Sequence, residues 1–548
     1  MLRRTIPVLA LLFLSSPGLA SGLDEPQEAL RLAVESLAES PTVGDEPVTD
    51  FRLIGEFYAR REFRPAWTDE GRIAELMQLI RSADQEGLRP EDYHLAHLEA
   101  LLAVQRQGSR GNPARAAELD IVLTDALARY GYHLRFGKVD PTELDAAWNL
   151  SRTFEATSPA VALQGVIDSP NLADAVAQPY MSGPTYQAYR TALDQYRRIR
   201  DAGGWPAVPA GPTLKPGMDD PRVPVIRAFL DALGESASGS SPASETYDDE
   251  VAAAVERFQQ RHGLDADGVL GPATLAAMNV PVQARIDQLR VNMERIRWVF
   301  RDIEDDFILV NIAGFKAHLV RDRRIAWSTR VMVGRPYRQT PVFKSTMTYL
   351  VFNPTWTVPP GILRKDVLPK VRADVGYLAA NHMEVIDSNG RAVDPGRVDW
   401  SGNRIPYQIR QKPGPWNAMG LVKFMFPNEY LVFLHDTPSR SLFDRPERTF
   451  SSGCIRTENP FDLAELLLEG QAGWDRAAID ALVASGETRT VVLEKPITVM
   501  LLYGTVGFDP DWGVVFYRDV YDRDGKILEE LDEGFRFRPP AGYTEATG

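Results

Sequence analysis

The residue types able to do covalent chemistry are few, and they lie close together. His435-Asp436-Thr437-Pro438 is followed by Ser451-Ser452-Gly453-Cys454-Ile455-Arg456. Cys454 is the only cysteine in the chain. A free thiol is mostly protonated at neutral pH, so it needs a partner to act as a nucleophile. A neighbouring histidine can stabilise the thiolate and later protonate a leaving amine. His435 follows the strand-like run YLVFL, which puts it at a strand end. The Ser-Ser-Gly before Cys454 predicts a loop whose backbone approaches a ligand closely. The stretch between His435 and Cys454 is long enough to fold back and bring them together. Arg456 could pair with a substrate carboxylate, or it could order the loop or stand as a surface cation.

Composition narrows the setting. The 548 residues carry 61 basic and 75 acidic side chains, a formal charge of −14. Such a chain repels phosphate backbones, so no nucleic-acid partner is expected. A single cysteine excludes an intramolecular disulfide and any multi-cysteine metal site. The seven histidines are scattered. His94 and His97 read as ordinary helix surface, and no metal or organic cofactor is expected. Arg3 and Arg4, the apolar run Ile6 to Leu14 and the small-residue site Gly18-Leu19-Ala20 read as a signal peptide over 1–20. The apolar run is shorter than the ~20 residues of a membrane span. The expectation is an exported protein that is not integral to the membrane after cleavage; a periplasmic, cell-wall-associated location is what the family resemblances given below imply. In an oxidising compartment a lone thiol is either buried and inert or kept for its chemistry.

The elements that must position these residues follow from periodicity and breakers. The fold class predicted is multidomain α+β. Residues 21–50 read as a flexible N-terminal segment. Residues 51–201 read as a helical scaffold domain, with Leu76, Leu79 and Ile80 on one helical face and Ile121, Leu123, Leu127 and Tyr130 on another. The Gly/Pro-rich stretch 202–218 reads as a linker. Residues 219–282 form a small helical unit, and 283–302 one connecting helix with Ile286, Leu289, Met293 and Ile296 along a stripe. From 303 to 500 the texture is mainly β, interrupted at about 365–415 by a polar, partly helical insertion. Residues 501–548 read as further strands and a polar tail.

Two resemblances fit this order. YDDEVAAAVERFQQRHGLDADGVLGPATLAAMN, within 219–282, resembles the three-helix peptidoglycan-binding module of cell-wall enzymes. Its matching residues are mostly core and turn positions, so they specify the module better than its ligand. The histidine followed by SSGCIR resembles the signature of the L,D-transpeptidase catalytic domain, with Ser452 where many members have histidine. NPTWTVPPGI and PGPWNAMGLVKFMFPN, which contain Trp356 and Asn417, resemble its larger multidomain bacterial members.

The resemblance implies that Cys454 attacks the L-centre carbonyl of the third residue in a tetrapeptide stem. D-alanine leaves, and the thioester passes to a diaminopimelate side-chain amine to form a 3–3 cross-link. It implies His435 as general base and acid, Ser451 as the residue orienting it, and the Gly453 and Cys454 N–H groups as oxyanion donors. Arg456, Ser452, Asp436, Trp356 and Asn417 are the implied substrate-binding residues. The implied partners are peptidoglycan stem peptides and glycan, and the thiolate is an implied carbapenem target. Two other readings remain open at this stage. One is an exported cysteine peptidase using water as acceptor, although papain-like enzymes place cysteine before histidine. The other is a non-catalytic wall-binding protein.

Overall fold

The computed structural model describes residues 23–106, 112–145, 147–150, 152–154, 158–235, 241–301, 303–402 and 405–539. The expected signal peptide lies outside the described residues. Among the described residues no helix is long and apolar enough to cross a membrane.

The N-terminal half is helical, as its periodicity predicts, and it is organised around one long helix, α1 (Pro113–Phe136). Asn112 caps its start and Pro113 occupies the first turn, where the missing N–H costs nothing. Ile121, Leu123 and Leu127 are buried against Leu76 and Ile80, with Leu79 half-buried beside them. The segment 21–50 is not a flexible lead. Glu25–Ser36 is a helix opened by an Asp24–Gln27 capping box, and it buries Leu30 and Val34 in the same core. His94 is not helix surface either. It precedes the helix Leu95–Arg106, is buried, and bridges Glu46 Oε2 (2.7 Å) and Asp125 Oδ2 (2.8 Å).

The stretch expected to be a linker is packed. Leu214 bridges to Leu270, and Val208 exchanges hydrogen bonds with the Asn279 side chain. The small helical unit contains the helices Val223–Ala232, Asp249–Arg261 and Pro272–Met278. Its core is continuous with α2 (Pro184–Asp201), with α3 (Val282–Val299) and with Val506 and Phe516 from the C-terminal region. The predicted connecting helix is therefore a shared wall of the molecule. Inside it Glu294 and Arg297 form a buried ion pair at 2.8 Å. Glu294 also accepts the Val139 N–H, and Arg297 donates to the Glu86 carbonyl, so the pair ties the helix to the scaffold.

The β half is built around a nine-stranded sheet. Its strands are β1 (Phe307–Asn311), β2 (Lys316–Arg321), β3 (Arg324–Gly334), β4 (Phe343–Phe352), β5 (Val422–Met425), β6 (Leu434–His435), β7 (Thr449–Ser451), β8 (Ile455–Thr457) and β9 (Arg489–Leu502). The order is β7-β3-β8-β6-β5-β4-β9-β1-β2, and β2 pairs back onto β3, so the sheet closes on itself. Side chains alternate across it with period two. Val331, Val333, Leu350, Val422, Phe424, Leu434, Ile455 and Val499 point into one apolar core.

Two expected boundaries move. β9 runs through Pro496 by way of an irregularity between Val492 and Ile497, so residues to Leu502 belong to the nine-stranded sheet. The polar end is not merely a tail, because the helix Asp524–Asp532 packs Ile527 and Leu531 onto Val291, Trp298 and Val299. The insertion also starts earlier and has its own structure. A four-stranded sheet (Trp356–Thr357, Met383–Ile386, Ala392–Val393, Gln408–Gln411) covers a core of Val358, Val371, Leu378, Val385 and Ile409.

Candidate active site

Register places the candidate residues. β6 and β8 are parallel, with Leu434 opposite Ile455 and His435 opposite Arg456. β5 lies on the other side of β6, with Lys423 opposite His435. Leu434 and Ile455 point into the core, so Lys423, His435 and Arg456 share the opposite face. Cys454 is two residues before Arg456 and joins them on that face, diagonal to His435. The face is cationic, and among the described residues neither Lys423 nor Arg456 forms an ion pair with a carboxylate. Arg456 Nε is buried without an acceptor, and Lys423 Nζ lies 3.9 Å from the Phe433 ring centroid.

His435 is buried. Its Nδ1–H donates to the Asp436 carbonyl at 2.5 Å, which leaves Nε2 as the basic nitrogen. Burial, then the Arg456 guanidinium, pushes its pKa down to about 3, against the pull of the Asp436 and Met419 carbonyls. The imidazole is therefore neutral at physiological pH. Cys454 is half-buried, and its S–H points at the Leu431 carbonyl at 3.7 Å. Burial raises the thiol pKa, while the Phe433 N–H, Lys423 and Arg456 each lower it. The resting pair is thus neutral thiol and neutral imidazole, ringed by groups that favour the thiolate once a proton moves.

Several expected roles change. Ser451 does not orient His435. Its Oγ donates to the Cys454 carbonyl (2.6 Å) and accepts the Gly453 N–H (3.0 Å), and its own carbonyl accepts the Arg335 N–H (3.1 Å). The orienting group is the Asp436 carbonyl. Gly453 N–H is thereby spent inside the loop, so Gly453 is not a free oxyanion donor. The Cys454 N–H meets no acceptor among the described residues and remains available. Gly453 adopts φ +117°, a conformation that favours glycine.

Asp436 is not a substrate ligand. Its buried carboxylate accepts the Leu421 N–H (2.9 Å) and Arg440 Nη2 (3.0 Å). Asn417 is fully buried, and its side chain joins the two ends of the insertion through Pro354 (3.0 Å), Lys412 (2.9 Å) and the Met419 N–H (2.8 Å). Trp356 packs against the core of the insertion. Ser452 faces out and accepts from Arg338 Nη1 (2.9 Å), which also pairs with Asp366 of the insertion (2.8 Å). Sequence reasoning missed Lys423, although the alternation in VKFM carried the signal.

No group of three or more His, Cys, Asp or Glu side chains is placed to hold a metal ion among the described residues. What the arrangement can do is acyl transfer. It has a nucleophile, a base fixed in one tautomer, a free N–H at the nucleophile and two cations for an anionic substrate.

Comparison with known proteins agrees with that chemistry. The family model described as "L,D-transpeptidase catalytic domain" matches residues 305–484. Over those residues the chain is similar to L,D-transpeptidase catalytic domains. A scaffold-domain model matches 52–193, and one described as "Putative peptidoglycan binding domain" matches 219–278. In the order of these matches the chain is similar to multidomain proteins that carry an L,D-transpeptidase catalytic domain. A curated relative from Haemophilus influenzae, described as "Putative L,D-transpeptidase", is 36% identical over 248 residues. That match covers 45% of this chain and 50% of the relative, so the chain spans about half the relative's length. Among solved structures, an L,D-transpeptidase from Xylanimonas cellulosilytica is 15% identical, covering 54% of this chain and 99% of its own, with a TM-score of 0.17. One from Stackebrandtia nassauensis is 14% identical, covering 54% and 97%, with a TM-score of 0.21.

Proposed function

We propose that the protein is an exported peptidoglycan L,D-transpeptidase that forms 3–3 cross-links in the periplasm. The Cys454 sulfur attacks the L-centre carbonyl of the third residue of a tetrapeptide stem as its proton passes to His435 Nε2. The Cys454 N–H receives the oxyanion. The intermediate collapses, His435 returns the proton to the departing D-alanine amine, and a thioester remains. The side-chain amine of a neighbouring diaminopimelate then attacks. His435 takes its proton and gives it back to the departing sulfur. Lys423 and Arg456 hold the stem carboxylates, which suits an acidic donor better than a neutral one. The unit at 219–282 keeps the enzyme on peptidoglycan. A carbapenem ring, opened by the same sulfur, would leave an acyl group on Cys454.

The observation that carries this reading is Cys454 on the same face of paired strands as His435, flanked by cations that lack a carboxylate partner. Mass analysis of sacculi rich in tetrapeptide stems tests it. The full-length protein is expected to release D-alanine and form 3–3 dimers, and Cys454→Ala to form none. Tripeptide monomers alone would mean that water is the acceptor, and an unchanged sacculus that the protein only binds the wall.

A further inference from the structure

The loop carrying Cys454 is braced by residues whose hydrogen bonds go to Gly453 and Gly334. Thr340 is fully buried. Its Oγ1 accepts the Gly334 N–H (2.9 Å) and donates to the Gly453 carbonyl (2.8 Å). Tyr521 closes the circuit, since its hydroxyl accepts the Thr340 N–H (3.2 Å) and donates to the Gly334 carbonyl (2.5 Å). Tyr521 is itself fixed. Its N–H donates to Tyr503 Oη (2.8 Å), and its ring stacks on Tyr503 at 5.4 Å. A Cβ on Gly334 would lie 2.2 Å from the Arg338 carbonyl oxygen and 2.7 Å from Thr340 N, so the turn closes only over glycine.

The target of this brace is informative. The Gly453 carbonyl and the Cys454 N–H belong to one peptide plane and point in opposite directions. Fixing the carbonyl fixes the N–H. The other two groups of the loop are tied separately, Gly453 N–H to Ser451 Oγ and Ser451 O to Arg335 N–H. With Gly453 at positive φ, its peptide to Cys454 has no strand ladder to hold it, and Thr340 supplies the missing restraint.

We propose that Thr340, held by Tyr521, is a positioning residue that aims the Cys454 N–H at the oxyanion. The claim rests on the acyl-transfer reading of Cys454 and adds to it a role for the C-terminal segment. Tyr521 lies beyond the residues matched by the catalytic-domain family model. Removing one oxyanion donor costs about 10²–10³ in kcat, so mis-aiming it should cost about 10–100-fold.

The test uses the full-length protein and two reactions at the same sulfur. Acylation by p-nitrophenyl acetate passes through an oxyanion, whereas alkylation by iodoacetamide does not. Thr340→Val is expected to slow acylation by about 10–100-fold with its alkylation rate-versus-pH curve unchanged. Thr340→Ser restores the hydroxyl and should restore acylation. Tyr521→Phe keeps the stacked ring and should slow acylation by a smaller factor, which preserves the test if Thr340→Val does not fold. Wild-type acylation in both Thr340→Val and Tyr521→Phe would overturn the proposal. So would acylation and alkylation falling together, because that pattern means a displaced sulfur rather than a misaimed N–H. Tetrapeptide stems are run in parallel. A wild-type protein that is acylated by the ester but never by the stem would end the transpeptidase reading while leaving the positioning claim standing.

Discussion

Replacing Lys423 with methionine should raise the apparent pKa of Cys454 by about one unit. Lys423 and Cys454 lie on the same face, two sheet spacings apart across β6 and offset by two residues along the chain, a separation of about 12 Å. At an effective dielectric of about 20, unit charges at that separation interact by about 1.4 kcal/mol, close to one pKa unit. The sign is fixed, because a cation stabilises the thiolate and its loss favours the thiol. Methionine keeps an apolar stem over Phe433, so packing changes less than charge. The assay is the rate of iodoacetamide alkylation against pH, followed by intact-protein mass. The curve for Lys423→Met should shift to higher pH, with the neutral-pH rate down about tenfold. Lys423→Arg should leave it in place. Coincident wild-type and Lys423→Met curves would refute the argument that this cation tunes the sulfur.

Arg456→Met should raise KM for a tetrapeptide donor by about 10–100-fold, the range for a lost charge-assisted hydrogen bond, and narrow the preference for tetrapeptide over pentapeptide donors. Steady-state kinetics with both donors checks it. His435, with its pKa pushed down to about 3, should make the fold acid-sensitive. Below about pH 6.5 the unfolded chain takes a proton that the folded site refuses until near pH 3, so stability is present above that window and drains as pH falls through it. Urea midpoints should show His435→Gln losing about 2–3 kcal/mol less than wild type between pH 7 and 4.5. Glu294→Gln leaves the Arg297 guanidinium buried without its carboxylate and should cost about 3–5 kcal/mol, seen as a lower Tm.

The sequence makes the β half legible where alternation meets burial. VKFM buries Val422 and Phe424, and the strand end after YLVFL is where His435 sits. The helical stripe of 283–302 is equally plain, since Ile286, Leu289, Met293 and Ile296 are all buried. Four things were hidden. The insertion builds a sheet from strands of two to four residues that pair across long gaps, such as Gln408 with Ile386, and no local period announces them. Pro496 looks like a break because proline lacks a ladder N–H, yet an irregular pairing lets β9 continue through it. At the site, residue types singled out Cys454 and His435, which the structure places on one face, but could not separate side-chain from backbone bonds. Ser451, Asp436 and Asn417 spend their side chains on the loop and the insertion, and a backbone carbonyl orients the histidine. The packed stretch at 202–218 was masked by its Gly and Pro content, which signals turns whether or not they are buried.

The central claim is that Cys454 carries the acyl group of a tetrapeptide stem. The direct measurement is intact-protein mass after rapid quenching with a tetrapeptide donor and no acceptor, followed by peptide mapping. The account predicts one adduct per chain, equal to the donor minus D-alanine, on the peptide containing Cys454. Adding a diaminopimelate-bearing acceptor should discharge it as a 3–3 dimer. No adduct on Cys454, or an adduct on a serine, would contradict the account.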